Sequence, residues 1–215
     1  MNQNIRTILF DLDGTLINTN DLIIESFKHT FDHYGLNFTH EEIITFNGPP
    51  LRETFKMIDQ DRAEEMIATY REHNLLNHDN YVTPFPHVVE TIQELEKHGF
   101  NLGIVTTKME KSVEKGLAIT GLKPYFQTII TLDDVNNAKP HPEPVIKAMK
   151  ELQGEPESTL MIGDNSHDIE AGHNAGVLTA GVSWAQRGES FLQQFKPTYM
   201  LKDMRELLNL VLEKS

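Results

Sequence analysis

The sequence predicts an α/β protein: a doubly wound, Rossmann-like parallel sheet with helices on both faces and a small helical insertion after its first strand. Three observations carry that expectation. Apolar runs of strand length recur along the whole chain, each followed by a stretch of helical periodicity. The runs are continuous rather than alternating, which is the pattern of strands buried on both faces. Residues 21–80, in contrast, hold helical patterns and no strand.

Taken in order, IRTILF at 5–10 is the first strand and leads straight into Asp11. DLIIESFKHTFDHYG, HEEIITF, LRETFKMI and DRAEEMIATYREHNLL follow as amphipathic helices. Thr83, Pro84, Phe85 and Pro86 read as the hinge by which the chain returns to the sheet. PHVVETIQELEKHGF then sets Val88, Val89, Ile92 and Leu95 on one helical stripe and stops at Gly99. NLGIVTT at 101–107, FQTIIT at 126–131, TLMIGD at 159–164 and VLTAGVSW at 177–184 are the remaining strands. The expected division is an α/β core of residues 1–17 plus 82–215 and a helical unit of residues 18–81. That unit would stand over the carboxyl edge of the sheet, where open α/β sheets bind ligands.

Bulk composition narrows the function. A chain of 215 residues suits one core with an insertion. No apolar run approaches the roughly 20 residues of a membrane span, and MNQNIRTILF lacks both a basic leader region and a cleavage site. These features predict a cytoplasmic protein with no membrane partner. The absence of cysteine excludes disulfides, thiolate metal sites and cysteine nucleophiles. With 19 Lys+Arg against 32 Asp+Glu the net charge is −13, which repels polyanions and argues against nucleic acid. A small anionic substrate would need a local cluster of cations. Nothing in the sequence points to an obligate protein partner.

Chemistry gathers at the strand ends. In Asp11-Leu12-Asp13-Gly14-Thr15 two carboxylates stand two residues apart, and an extended backbone aims them the same way. Burying such charges is unfavourable unless they are matched. Asp and Gly also suit a simple strand-to-loop turn, while a calcium loop lacks its third acidic position and closing Glu. Later strand ends add Thr106, Thr107 and Lys108, then Lys139 in AKPHPEP, then Gly163-Asp164-Asn165 with Asp168 beyond. Each has an ordinary explanation: Thr106, Asp164 or Asn165 as a helix cap, Asp168 as first-turn charge, Lys139 as solvated surface. Their recurrence at successive strand ends is what favours a shared site. Hydroxyl, ammonium and carboxylates at one edge suit a hard divalent cation such as Mg²⁺ and an incoming phosphoryl group.

These residues resemble the haloacid dehalogenase (HAD) superfamily of hydrolases. DLDGT at 11–15, the threonine at 106, the lysine at 139 and GDNSHD at 163–168 stand in that superfamily's order. The helical insertion looks like its C1-type cap, and the gap between Thr131 and Lys139 is too short for the larger alternative cap. Within the superfamily the chain is most similar to PpaX-type inorganic pyrophosphatases of Gram-positive bacteria, through FDLDGTLINTN, FNGPPLRETF, GIVTTK, KPHPEP, MIGDNSHDI and AGVSW. Several of these stretches also resemble phosphoglycolate phosphatases. His141 and Asn18 stand where many relatives carry Asp.

The resemblance implies Mg²⁺-dependent hydrolysis of inorganic pyrophosphate through an aspartyl phosphate. Asp11 would be the nucleophile and Asp13 the general acid and then base, its carboxyl protonated for part of the cycle. Thr106 and Lys139 would complete the catalytic set, with Thr107 and Lys108 at the substrate. Asp11, the backbone carbonyl of Asp13, and Asp164 would hold the metal, with Asp168 and Asn165 orienting its surroundings. Arg52 is the cap residue expected to meet the distal phosphate. The alternatives are a phosphatase of a small phosphomonoester such as phosphoglycolate, and a phosphosugar mutase. The ten histidines form no HExxH pattern; His29 and His33, at helical spacing, are expected to be surface or cap packing, and Trp184 core or edge packing.

Overall fold

The computed structural model describes residues 5–212. Residues 1–4, which the leader reading includes, and 213–215, the end of the expected core, lie outside it. Six strands form one all-parallel sheet: β1 (Thr7–Phe10), β4 (Asn101–Val105), β5 (Thr128–Ile130), β6 (Thr159–Gly163), β7 (Leu178–Val182) and β8 (Tyr199–Leu201). Their spatial order is β5-β4-β1-β6-β7-β8, which puts β1 between β4 and β6 at the centre.

The sheet's burial on both faces explains the continuous apolar runs. Ile8 and Phe10 point to one core with Ile104 and Ile162, while Leu9 points to the other with Val105 and Met161. Helices α5 (Val88–Lys97), α6 (Glu110–Thr120), α7 (Glu143–Glu151) and α8 (Ser166–Asn174) connect the strands. The sixth strand, β8, was not anticipated: three residues with no strong apolar run give too little period to read. No helix among the described residues is long and apolar enough to cross a membrane.

Between β1 and α5 the chain builds α1 (Asn20–His33), α2 (His40–Thr45), α3 (Leu51–Ile58) and α4 (Ala63–Tyr81). These helices enclose a separate cluster that includes Phe27, Phe31, Ile43, Phe55, Met66 and Tyr70. A capping box fixes the start of α2: the Thr39 hydroxyl accepts from the Glu42 N–H and the Glu42 carboxylate accepts from the Thr39 N–H. The two chain crossings are tied together. β2 (Ile17–Asn18) and β3 (Thr83–Pro84) pair antiparallel, so the expected hinge at 83–86 begins as half of a short ribbon. His29 stacks on His73 within the helical unit, and Trp184 packs on Phe85 and donates to the Thr15 carbonyl.

Candidate active site at the carboxyl edge of the sheet

β1 ends at Phe10, and Asp11 keeps its pairing to the next strand through an N–H to the Ile162 carbonyl at 2.8 Å. Beyond it the chain turns sharply at Gly14, whose φ of +81° belongs to glycine. There is no room for a side chain either, because a Cβ there would lie 2.2 Å from the Asp164 carboxylate. Asp164 follows β6 and is pressed over this turn, accepting from the Thr15 hydroxyl at 3.3 Å. The DGT stretch and the GD stretch thus shape one floor.

Lys139 is not solvated surface. It is 3% exposed, and its ammonium donates to Asp11 Oδ1 at 2.7 Å, Asp168 Oδ1 at 2.6 Å and the Val105 carbonyl at 2.8 Å. Those contacts use all three of its protons. Burial would depress its pKa, but Asp11 and Asp168 outweigh burial and hold it above its ordinary value, so it is a fixed cation. Asp168 does two jobs: its other oxygen accepts from the Asn165 N–H, closing a capping box at the start of α8. The capping reading of Asn165 and Asp168 is thus observed, and Asp168 also binds the ammonium of Lys139.

Asp13 belongs to a different charge system. Its Oδ1 meets Lys108 Nζ at 2.6 Å and the Thr19 hydroxyl at 2.6 Å. The two aspartates of one motif are matched by two separate lysines. Thr106 lies buried at the end of β4, its hydroxyl accepting from the Lys108 N–H at 3.2 Å.

Negative charge exceeds positive in the deepest part. Carboxylate oxygens of Asp11, Asp164 and Asp168 lie within 4.8 Å of one another, all buried, against the single ammonium of Lys139. Burial pushes the Asp11 carboxyl up to about 7 despite Lys139, with Asp168 and Asp13 adding to the rise. Burial, then Asp11 and Asp168, likewise raise Asp164 well above the usual range. Three hard oxygen donors with surplus negative charge fit a divalent cation. Asp168 has both oxygens engaged by protein donors, which leaves Asp11 and Asp164 the freer pair.

The helical unit sits directly on this floor. The Gly48 carbonyl accepts from the Thr107 hydroxyl at 3.2 Å, the Asn47 carbonyl accepts from Asn165 Nδ2 at 3.0 Å, and Asn47 Nδ2 donates to Gln186 Oε1 at 3.2 Å. Thr107 and Asn165, expected at substrate and metal, are seen here in contact with the helical unit. Sequence reading missed Asn47 and Gly48; the one signal was a glycine before two prolines in FNGPP. Between the helical unit and the floor is a cavity of about 750 Å³. Asp11, Asp13, Thr106, Lys108, Lys139 and Asp164 line its floor, while Phe46, Leu51, Arg52, Tyr70, Arg71 and Asn74 line the cap side. Arg52 lies on an exposed stretch of α3 and pairs with Glu64 at 3.0 Å.

Residues 8–182 match the family model of haloacid dehalogenase-like hydrolases, and the chain belongs to that family. It is a phosphohydrolase. It is 55% identical over 208 residues to pyrophosphatase PpaX of Oceanobacillus iheyensis, covering 97% of each chain. It is also 55% identical over 209 residues to pyrophosphatase PpaX of Anoxybacillus flavithermus, again covering 97% of each. A solved haloacid dehalogenase-like family hydrolase from Streptococcus pneumoniae superposes with a TM-score of 0.86 at 26% identity, covering 96% of this chain and 98% of its own.

Proposed function

We propose that this protein hydrolyses inorganic pyrophosphate to phosphate through a phosphorylated Asp11, with Mg²⁺ as cofactor. The observation that carries the reading is the separation of the two motif aspartates, Asp11 held by Lys139 and Asp13 by Lys108. One position can then serve bond formation while the other handles protons. The name pyrophosphatase borne by relatives sharing 55% of residues supports the choice of substrate. Residues 18–81 act as the cap and residues 1–17 plus 82–215 as the core, and the protein works in the cytoplasm.

Asp11 attacks phosphorus in line, and the new O–P bond forms as the bridging P–O bond breaks. Asp13 gives its proton to the departing phosphate. It then takes a proton from water, whose oxygen bonds to phosphorus as the aspartyl phosphate opens and Asp11 is restored. The Thr106 hydroxyl and the Thr107 N–H stabilise the transferring oxygens. Lys139 keeps Asp11 aimed and offsets its charge. Lys108 begins the cycle paired with Asp13; an arriving anion that takes Lys108 as its counter-ion releases Asp13 to pick up its proton. Asp11, Asp164 and the Asp13 backbone carbonyl would hold Mg²⁺, which when bound neutralises charge that would otherwise repel the substrate.

A second reading, a phosphatase of a small organic phosphate, is favoured by the apolar share of the cavity wall, including Phe46, Leu51 and Leu75. The test is a parallel assay with Mg²⁺ on pyrophosphate, phosphoglycolate and glucose phosphates, with Asp11→Asn as the control. Preference for pyrophosphate supports the proposal. Preference for a monoester overturns it, and isomerisation of a sugar phosphate would point to a mutase.

A further inference from the structure

Pyrophosphate has two phosphoryl groups, and the floor residues account for one. The second leaves as phosphate and needs donors and positive charge on the cap side of the cavity. Arg52 offers a charge already balanced by Glu64. Helix α4 offers a different set.

Tyr70 is only 6% exposed, its ring held by Phe27 at 4.8 Å and Phe55 at 6.1 Å between centroids. Nothing among the described residues hydrogen-bonds its hydroxyl, although the residue lines the cavity. The ring is buried but the hydroxyl oxygen is not among the closed-off unpaired atoms, so it opens to the cavity and is available to a ligand. Burial, and then the negative charge of Asp13, keep this phenol protonated, so it is a constant donor near the proton-handling aspartate. Arg71, the next residue, lines the same cavity and has no acidic partner among the described residues. Asn74, one turn on, is buried and lines the same cavity. Lys108 faces this ledge from the floor, beside Asp13.

We propose that the Tyr70 hydroxyl and the Arg71 guanidinium, on the ledge of α4 above Lys108, seat the leaving phosphate of pyrophosphate and so set the enzyme's preference for a diphosphate. This assignment rests on the proposed pyrophosphatase activity. A charged, doubly anchored phosphate would be selected over the uncharged leaving group of an aryl monoester, because only the former satisfies both the phenol and the unpaired cation.

The experiment compares KM and kcat for pyrophosphate and for phenyl phosphate, with Mg²⁺, in the wild type and in Tyr70→Phe, Arg71→Ala, Arg71→Lys and Arg52→Ala. Tyr70→Phe keeps the ring packing, and Arg71 is on the surface, so the fold is retained; unchanged thermal melting checks this. The expected result is that Tyr70→Phe and Arg71→Ala each raise KM for pyrophosphate about ten-fold. The same changes raise KM for phenyl phosphate several-fold less, and Arg71→Lys recovers part of the loss. Equal effects on both substrates, or a selective loss in Arg52→Ala in place of the α4 variants, would overturn the assignment while leaving the pyrophosphatase reading intact. A wild type inactive on pyrophosphate would overturn both.

Discussion

In the helical unit, Phe27 is enclosed by the rings of Phe31, Phe46, Phe55 and Tyr70 at centroid distances of 4.8 to 5.8 Å. At the edge of the sheet, Lys139 is just as deeply enclosed, but by two carboxylates and a backbone carbonyl. The first environment gains free energy from every group it removes from water. The second loses hydration at each step and recovers it only through pairing, which here is incomplete because carboxylates outnumber the ammonium. One region holds the fold together, and the other is kept in a state that a cation and a phosphoryl group would relax. Substitutions should therefore separate activity from stability according to region.

The largest separation is expected at Asp11. Asp11→Asn keeps the shape and most of the hydrogen-bonding capacity but removes the proposed nucleophile, and turnover should fall by about four orders of magnitude or more. Melting in the absence of metal should change by only a few degrees, because the surplus charge beside Asp164 is reduced as the partner of Lys139 is lost. A variant with a tenth of normal turnover would refute the nucleophile assignment. A large loss of stability would show that the ion pair, rather than the surrounding packing, holds this edge.

Phe27→Ala tests the opposite pole. Removing the central ring of the helical unit's cluster should destabilise the protein by about 3–5 kcal/mol, read as a lowered denaturant midpoint. If the sheet retained its native amide protection while the cap helices lost theirs, the two regions would be separate cooperative units. A uniform loss would make them one.

The third expectation concerns charge in the edge region. The folded-state pKa of Asp11, about 7, is raised above its ordinary 3.8, so its stabilising contribution is complete below about pH 4 and is lost as the pH rises toward 7. Wild type should lose metal-free stability over that window relative to Asp11→Asn, which lacks the titrating group. Mg²⁺ competes with protons for the same oxygens, so its stabilising effect should be large at pH 8 and slight at pH 5. At about a hundred-fold excess over its Kd, a shift in Tm of roughly 5–10 °C is expected at pH 8. A shift of equal size at both pH values would mean that the ion binds elsewhere.

Sequence and structure agree most where one residue type has one use. The central strands were legible because continuous apolar runs, such as LGIV at 102–105, suit little else, and the helical insertion was legible because residues 21–80 hold no such run. β8 was not, since TYML gives almost no period. In the site, the sequence could mark Asp11, Asp13, Lys139 and Asp164 by their places at strand ends. It could not reveal that each aspartate of the pair has its own lysine, because Lys108 and Lys139 are distant in the chain from their partners. Nor could it reveal that Glu64 stands beside Arg52, while Arg71 has no acidic partner among the described residues.

The smallest expected effect falls where the two regions meet. Gly48 has a φ of +113°, and a Cβ there would approach Asn165 Nδ2 to 2.4 Å, on the same residue whose carbonyl receives the Thr107 hydroxyl. Gly48→Ala thus strains the backbone and pushes apart the contact between the cap and the strand-end loops, without touching either the aromatic cluster or the buried ions. The loop can shift by a few tenths of an ångström to accommodate one methyl, so global stability should fall by only about 1 kcal/mol. Activity should fall more than that implies, with kcat/KM for pyrophosphate down about ten-fold, because Thr107 and Asn165 would lose the cap contacts that fix them over the floor. If kcat/KM fell no further than the loss of folded protein explains, docking at Gly48 would be a passive contact. If it fell together with a rise in the Mg²⁺ concentration needed for half-maximal rate, the cap would be acting through Asn165 on the metal side of the site.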